Sequence, residues 1–292
     1  MFDIQTPPSS VHLQTFCAAP WVISLAAQKG KGHIRKGEPY QDAYAVAQAH
    51  DTLILAIADG VGSKPRSHDG AATAVSTVVT HLISQVSAGT LNASALRSAF
   101  TAAHTELQHL ATTAEAPLSD YAATLAAVAI TPHTVYSANL GDSSVAALID
   151  SPSTPANPLS VQSLCSAPQP SSAKVLTLVH DHWPDLLTTH ATPSNAIRGV
   201  ILATDGANNF FSQIRHPGDP LHLGTPFIDE MHLVHQEYPP HQLSRYFAEF
   251  LFQRPADNND DRTLIVAYRS NEQNPEQPAA PAQPEDAVVQ PT

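Results

Sequence analysis

Aspartates stand at the ends of apolar, strand-like runs in this chain, and this pattern constrains the fold more than any other feature. The four cases are Asp42 at the start of residues 42–49, Asp59 directly after Leu53–Ala58, Asp205 directly after Val200–Thr204, and Asp260 just before residues 263–268. If these strand ends meet at one edge of the sheets, the carboxylates share a site although they lie far apart in the sequence. The pattern therefore predicts an acidic site built on a β framework.

Taken singly, each of these aspartates is explained better by a plain turn. Asp59-Gly60 and Asp205-Gly206 are common turn pairs, because aspartate bonds to its own backbone and glycine tolerates a positive φ. Gly141-Asp142 is explained completely by a two-residue hairpin. The set together is harder to explain by turns alone, because two carboxylates about 4 Å apart repel by roughly 4 kcal/mol at an effective dielectric near 20. Cations would relieve that repulsion, and ligands that are all oxygen favour Mg²⁺ or Mn²⁺ over zinc.

Length, charge and cysteine content narrow the class of protein. The 292 residues, of which 42% are hydrophobic, are enough for one large domain with a substantial core. The formal net charge of −12, from 26 acidic and 14 basic residues, argues against a nucleic-acid binder. Two distant cysteines, Cys17 and Cys165, are too few for a disulfide framework, so we expect a reducing compartment.

Neither a signal peptide nor a membrane span is visible in the sequence. No run approaches the roughly 20 apolar residues that cross a bilayer, and the N-terminus lacks the basic and then apolar order of a secretory signal. We expect a cytoplasmic monomer that binds neither membranes nor nucleic acid.

The order of elements favours an α+β fold. We predict a lead-in segment over 1–18, a domain over 19–270 and a disordered tail over 271–292. A Pro/Ser-rich stretch at about 151–172 is expected to be a surface insertion or flexible loop. The predicted strands are 21–25, 42–49, 52–58, 122–130, 134–139, 144–149, 173–179, 200–203 and 263–268, and the predicted helices are 70–83, 94–110 and 241–252. In the second helix, Asn92 and Ser94 are both suitable N-caps.

Seven short motifs resemble those of the metal-dependent protein phosphatases (PPM, or type 2C, serine/threonine phosphatases), and they occur in the order found in that family. They are Gln41-Asp42-Ala43, Ala58-Asp59-Gly60-Val61-Gly62, Ala123-Thr124-Leu125, Asn139-Leu140-Gly141-Asp142-Ser143, Asp181-His182, Ala203-Thr204-Asp205-Gly206 and Asp260-Asp261-Arg262-Thr263. They cover roughly residues 20–270, and the set is typical of a bacterial-type member. The resemblance implies two antiparallel β-sheets packed face to face and flanked by helices, an αββα sandwich.

The resemblance also implies a role for each acidic residue. Asp59 would bridge two Mn²⁺ or Mg²⁺ ions, the Gly60 carbonyl would bind one of them, and Asp205 and Asp260 would complete the shell of the other. Asp42 would hold water bound to the metal. Asp142, together with Asp205, would form a third and weaker site.

Two positions depart from the family pattern. The arginine that many members place five residues before the first aspartate is replaced by Gly37, so Arg35 and Lys36 are the candidates for holding the substrate phosphate; both could equally be a solvated loop tip. Eukaryotic members of the family use a histidine in this region as the general acid, but here Val61-Gly62-Ser63 come directly after Asp59-Gly60 and none of them is titratable. His33 and His68 are therefore the candidate general acids. Water bound to the metal is an alternative proton donor.

The resemblance implies hydrolysis of phosphoserine and phosphothreonine in proteins by direct attack of a hydroxide that bridges the two metals. It also implies a phosphoprotein substrate and a cognate serine/threonine kinase. Two alternatives remain at this point. A non-catalytic metal-binding interaction module is consistent with the missing arginine, but the full set of aspartates argues against it. A metal-dependent phosphodiesterase or nuclease is disfavoured by the acidic charge.

Overall fold

The structure is a computed structural model that describes residues 3–4, 11–150, 159–165, 175–208 and 259–269. Its strands form two antiparallel six-stranded sheets. The first sheet has the order β1 (Asp3–Ile4), β4 (Ala43–Ala49), β5 (Thr52–Ala58), β6 (Leu125–Ile130), β7 (Thr134–Leu140) and β10 (Thr188–Pro193). The second has the order β2 (Val11–Ala18), β3 (Trp21–Gln28), β12 (Arg262–Arg269), β11 (Ile197–Ala203), β8 (Ser144–Asp150) and β9 (Leu159–Ser163).

The uninterrupted apolar run of β5 reflects burial on both faces of the first sheet. Alternate side chains of a strand point to opposite faces. Ile54 and Ala56 face a core shared with helices, whereas Leu55 and Ile57 face a second core formed with the other sheet. All four are completely buried. A central strand of a two-core sandwich therefore needs no polar face.

Two long helices cover the first sheet. They are α2 (Ser67–Ser87) and α3 (Ala93–Thr113). The predicted apolar stripe of α3 is buried at Leu96, Phe100 and Leu107. Asn92 is its N-cap, since its side chain accepts hydrogen bonds from the backbone N–H groups of residues 94 and 95. Three short helices complete the described set, α1 (Lys31–Lys36), α4 (Trp183–Leu186) and α5 (Asp205–Asn208).

The predicted α+β sandwich of two antiparallel sheets is confirmed. Most predicted strands and both helices before residue 113 are also observed, with ends that differ by a few residues. No helix in the described part of the chain is long and apolar enough to cross a membrane. Both cysteines are free thiols.

Some local predictions were wrong. Residues 11–18 are not a loose lead-in, because they pair along their whole length with β3. Part of the Pro/Ser-rich stretch is β9, an edge strand paired with β8. Residues 175–179 form loop and turn instead of a strand. Each case depends on a partner strand, or on the lack of one, that composition does not reveal.

Gly141-Asp142 is not a hairpin turn. The strands on either side of it, β7 and β8, belong to different sheets and do not pair with each other. The turn therefore carries the chain across from one sheet to the other, and it places Asp142 between them. The predicted helix over 241–252, the tail over 271–292 and the rest of the Pro/Ser-rich stretch lie outside the described residues.

Candidate metal centre and substrate cleft

The register of the two sheets brings the aspartates together. In the first sheet Ala43 pairs with Ala58, so Asp42 and Asp59 flank the same cross-strand pair. In the second sheet Ala203 pairs with both Ser144 and Leu264, which places residues 142, 205 and 260 beyond one end of three adjacent strands. The acidic residues that are distant in sequence therefore meet at one edge of the sandwich.

Three of the predicted ligands form a compact group. One carboxylate oxygen each of Asp59, Asp142 and Asp205 lies within 4.8 Å of the others, and all three side chains are half-buried. Asp260 is close enough to raise the pKa of these three carboxyls, although it is not a member of the compact group. The four predicted carboxylate ligands are thus neighbours in the described structure.

Burial and mutual repulsion disfavour ionisation of this cluster. Burial, followed by the charges of Asp42, Asp205, Asp260 and Asp142, raises the pKa of Asp59 well above its ordinary value. Burial and then the charge of Asp205 raise the pKa of Asp142 to about 6. Burial and the charge of Asp260 likewise raise the pKa of Asp205. Groups in this situation bind protons or cations.

The donor set fits a divalent cation of the Mg²⁺ or Mn²⁺ type. All the clustered ligand atoms are carboxylate oxygens, which are the ligands such hard ions prefer. Asp205 Oδ1 is buried and has no hydrogen-bond partner among the residues that the structure describes, so it is free to bind an ion. Gly60 lies beside this cluster, and a Cβ there would come 2.7 Å from the Gln41 carbonyl oxygen and 2.8 Å from the Ser67 carbonyl oxygen. The neighbouring backbone therefore leaves room only for glycine at this position.

An open cleft of about 560 Å³ adjoins the acidic cluster. It is lined by Gly32, His33, Arg35, Lys36, Gly62, Asn259 and Asp260. Arg35 Nη2 donates to Asn259 Oδ1 at 2.5 Å, and Lys36 Nζ lies 3.5 Å from Glu38 Oε2. Two cationic side chains therefore share the cleft with one of the predicted metal ligands.

Asp261 anchors the wall of this cleft, a role the sequence reasoning missed. Its carboxylate accepts hydrogen bonds from Gly30 N at 2.7 Å and from Gln41 N at 2.5 Å. His33 Nδ1 lies 2.9 Å from Asp261 Oδ1, an ion-pair distance at an angle outside hydrogen-bond geometry. Gly32 N also donates to the Asn259 carbonyl. The segment that carries α1 is thus joined to the residues that carry Asp260. In the sequence, the only indication of a role for Asp261 was that it follows Asp260 directly.

The two histidine candidates are placed differently. His33 is buried, at 6% exposure, and lines the cleft. His68 lies at the start of α2, where its Nε2 is 3.5 Å from Asp69, and it is not among the residues that line the cleft. Of the two, only His33 faces the space next to Asp260.

Comparison with known proteins identifies the family. The profile of the family described as Protein phosphatase 2C matches residues 29–251, well over half of the chain. The chain belongs to the protein phosphatase 2C family. This family is metal-dependent and its members are phosphoprotein phosphatases, so the chain is an enzyme of that class. No curated protein sequence matches the chain significantly.

Several solved structures share the fold at low sequence identity. A bacterial serine phosphatase is 14% identical with a TM-score of 0.60, and the match covers 86% of this chain and 99% of the other. RsbX in complex with magnesium is 16% identical with a TM-score of 0.54, covering 89% and 100%. Serine-threonine phosphatase 2C from Toxoplasma gondii is 15% identical with a TM-score of 0.55, covering 92% and 99%. These similarities support the sandwich architecture.

The structure gives a physical reason for the glycine that this phosphatase has in place of the usual arginine. Gly37 is the C-cap of α1, with φ +69°, and no atom of the described residues lies within 4 Å of where its Cβ would be. A left-handed residue here ends the helix, which glycine does at least cost. The cations of this region are instead Arg35 and Lys36, in the last turn of α1.

The acidic cluster predicts how the metal-free phosphatase responds to pH. Because the folded-state pKa of Asp142 is about 6 and its ordinary value is 3.8, the unfolded chain releases this proton first as the pH rises. Stability without metal is therefore highest below pH 3.8 with respect to this group, and it falls as the pH rises through about 6, by on the order of 2–3 kcal/mol.

We expect Asp142→Asn to raise the melting temperature in chelator at pH 7 and to leave it nearly unchanged near pH 4. Thermal melts with EDTA and then with Mn²⁺ measure this effect, and Mn²⁺ should stabilise the variant less than the wild type. Asp51→Asn, an exposed turn position, is the matched control for loss of one charge. Equal melting temperatures of Asp142→Asn and wild type at pH 7 in chelator would contradict the prediction.

Proposed function

We propose that this phosphatase hydrolyses phosphoserine and phosphothreonine in proteins by direct attack of water, with no covalent phosphoenzyme. The observation that carries the proposal is the group of three carboxylates within 4.8 Å of one another beside a cleft with cationic side chains. The substrate would be a phosphoprotein made by a cognate serine/threonine kinase.

Asp59, Asp205, Asp260 and the Gly60 carbonyl would hold two Mn²⁺ or Mg²⁺ ions, and Asp142 with Asp205 would hold a third. A pair of such ions supplies an activated water and neutralises the charge of the transferring phosphoryl group. Asp42 would accept a hydrogen bond from water at this centre, since its Oδ1 is buried and has no hydrogen-bond partner among the described residues. The rest of the rate acceleration would come from side chains that bind and orient the substrate.

Asp59→Asn tests the assignment of the central ligand. We expect the rate of Mn²⁺-dependent hydrolysis of para-nitrophenyl phosphate to fall by at least about 100-fold, the scale of losing one strong electrostatic contact to a transition state. Circular dichroism should show an unchanged fold, because the loss of one charge from this cluster relieves repulsion. An Asp59→Asn enzyme that is active and still binds Mn²⁺ would refute the assignment.

Arg35 is the better-placed candidate for holding the substrate phosphate. Both side chains are exposed, but the Arg35 guanidinium donates a hydrogen bond to Asn259 at the cleft, whereas Lys36 lies near the carboxylate of Glu38. A guanidinium that is already oriented loses less freedom when it forms charged hydrogen bonds to a phosphate.

Arg35→Ala is expected to raise KM for a phosphothreonine peptide by about tenfold, in line with the 1.5–3 kcal/mol of a hydrogen bond to a charged group. Steady-state kinetics give KM, and calorimetric titration with Mn²⁺ should show unchanged metal affinity. Lys36→Ala serves as the comparison on the same helix and should change KM less. An unchanged KM for Arg35→Ala would remove this role.

His33 is proposed as the group that protonates the leaving oxygen, because it lines the cleft next to Asp260. An alkoxide leaving group needs a proton far more than para-nitrophenolate does. His33→Gln should therefore lower kcat for a phosphoserine peptide by about 100-fold and change kcat for para-nitrophenyl phosphate much less. Equal losses on both substrates would instead assign His33 to holding α1 against Asp261, and His68→Gln should affect neither substrate.

A further inference from the structure

The two carboxylate oxygens of Asp42 have different surroundings. The side chain is almost completely buried, at 1% exposure. Oδ2 accepts hydrogen bonds from Thr263 Oγ1 at 2.7 Å and from Thr204 Oγ1 at 2.9 Å, and it lies 3.5 Å from the Tyr40 hydroxyl. Oδ1 is buried and has no hydrogen-bond partner among the described residues. Oδ2 thus has its hydrogen-bond donors, whereas Oδ1 has none among the described residues.

The hydroxyl groups around Oδ2 form a network with one consistent direction. Thr263 N donates to Thr204 Oγ1 at 3.0 Å, which leaves the Thr204 hydroxyl hydrogen for Asp42. The Tyr40 hydroxyl is hydrogen-bonded to Thr263 Oγ1, and it donates in this arrangement because the Thr263 hydrogen is given to Asp42. Each threonine hydroxyl therefore accepts one bond and donates another. A network that is satisfied in this way fixes the orientation of the carboxylate.

The network also joins the two strands that carry predicted metal ligands. Thr204 directly precedes Asp205, and Thr263 follows Asp260 by three residues. The Thr204 N–H donates to the Thr263 carbonyl at 3.0 Å. Through Tyr40 the same network reaches the segment between α1 and β4. Asp42 is therefore held by the ends of β11 and β12 as well as by its own strand.

We propose that Tyr40, Thr204 and Thr263 are positioning residues that hold Asp42 with Oδ2 turned to their hydroxyl groups and Oδ1 turned to the metal centre. This inference rests on the proposed function, because an Asp42 oxygen without a hydrogen-bond partner affects activity only if a cation is bound beside it. Loss of a positioning hydroxyl lets the carboxylate rotate and weakens the site without removing any ligand.

Thr263→Val and Thr263→Ser test the inference as a pair. Valine keeps the shape and removes the hydroxyl, so kcat at saturating Mn²⁺ should fall by about tenfold, within the range for partners of metal-site groups, while KM for para-nitrophenyl phosphate stays within about twofold. Serine should restore kcat to within about threefold of wild type. Thr192→Val in the edge strand β10 is the matched control. A Thr263→Val enzyme with wild-type kcat, or a loss that serine does not restore, would overturn the proposal.

A double-mutant cycle on Mn²⁺ affinity shows whether Thr263 acts through Asp42. Calorimetric titration should give a loss of about tenfold or more for Thr263→Val, but no further loss when Thr263→Val is added to Asp42→Asn. Fully additive losses would mean that Thr263 acts independently, and the inference would fail. Tyr40→Phe should lower kcat by about threefold, the scale of one neutral hydrogen bond.

The two proposals can fail separately. If the wild type shows no Mn²⁺-dependent hydrolysis, the proposed function fails, and the Mn²⁺ affinities of Thr263→Val and Thr263→Ser alone decide the positioning role. If Thr263→Val does not fold by circular dichroism, Tyr40→Phe takes its place. Wild-type kcat and wild-type Mn²⁺ affinity in Tyr40→Phe would then overturn the proposal.

Discussion

Repulsion among carboxylates at one end of the sandwich is the constraint on which the rest of the site depends. Asp59, Asp142 and Asp205 lie within 4.8 Å of one another, and two such charges at about 4 Å repel by roughly 4 kcal/mol at an effective dielectric near 20. Only a rigid framework keeps them together in the absence of a cation. The two antiparallel sheets supply it, because their register fixes where each strand ends. The chain belongs to a metal-dependent phosphatase family, and the oxygen donors gathered at this end of the sandwich fit a divalent cation.

The carboxyl next to a predicted metal ligand has a different task. Asp260 adjoins the cleft, whereas Asp261 is buried and accepts two backbone N–H groups from the segment that carries α1. A carboxylate that accepts two backbone N–H groups from another segment acts as a structural link. Because the two residues are adjacent, Asp261 links the segment of Asp260 to the cationic wall of the cleft. The same logic applies to Asp42, whose hydroxyl partners come from both neighbouring strand ends.

Much of the fold could be predicted from the sequence, and the failures share one cause. The long helices and the central strands have strong apolar patterns, as in Leu53–Ala58, and these predictions are confirmed. Edge elements such as Val11–Ala18 and Leu159–Ser163 have weak hydrophobic patterns. They are strands because each forms backbone hydrogen bonds with a neighbouring strand. The turn at Gly141-Asp142 was open to a hairpin interpretation because local sequence does not state which sheet the next strand joins.

The sequence by itself determined the chemistry of the site, since the residue types and their places at strand ends already indicated carboxylates that share oxygen-preferring cations. Only the tertiary structure shows that Asp59, Asp142 and Asp205 lie together, whereas Asp261 accepts hydrogen bonds from distant backbone N–H groups. Asp261 and the hydroxyl groups of Tyr40, Thr204 and Thr263 act on partners that lie far away in the chain, 220 residues away for the bond from Gln41 to Asp261. A hydrogen bond depends on distance and angle in space, and those are fixed only when the sheets have formed.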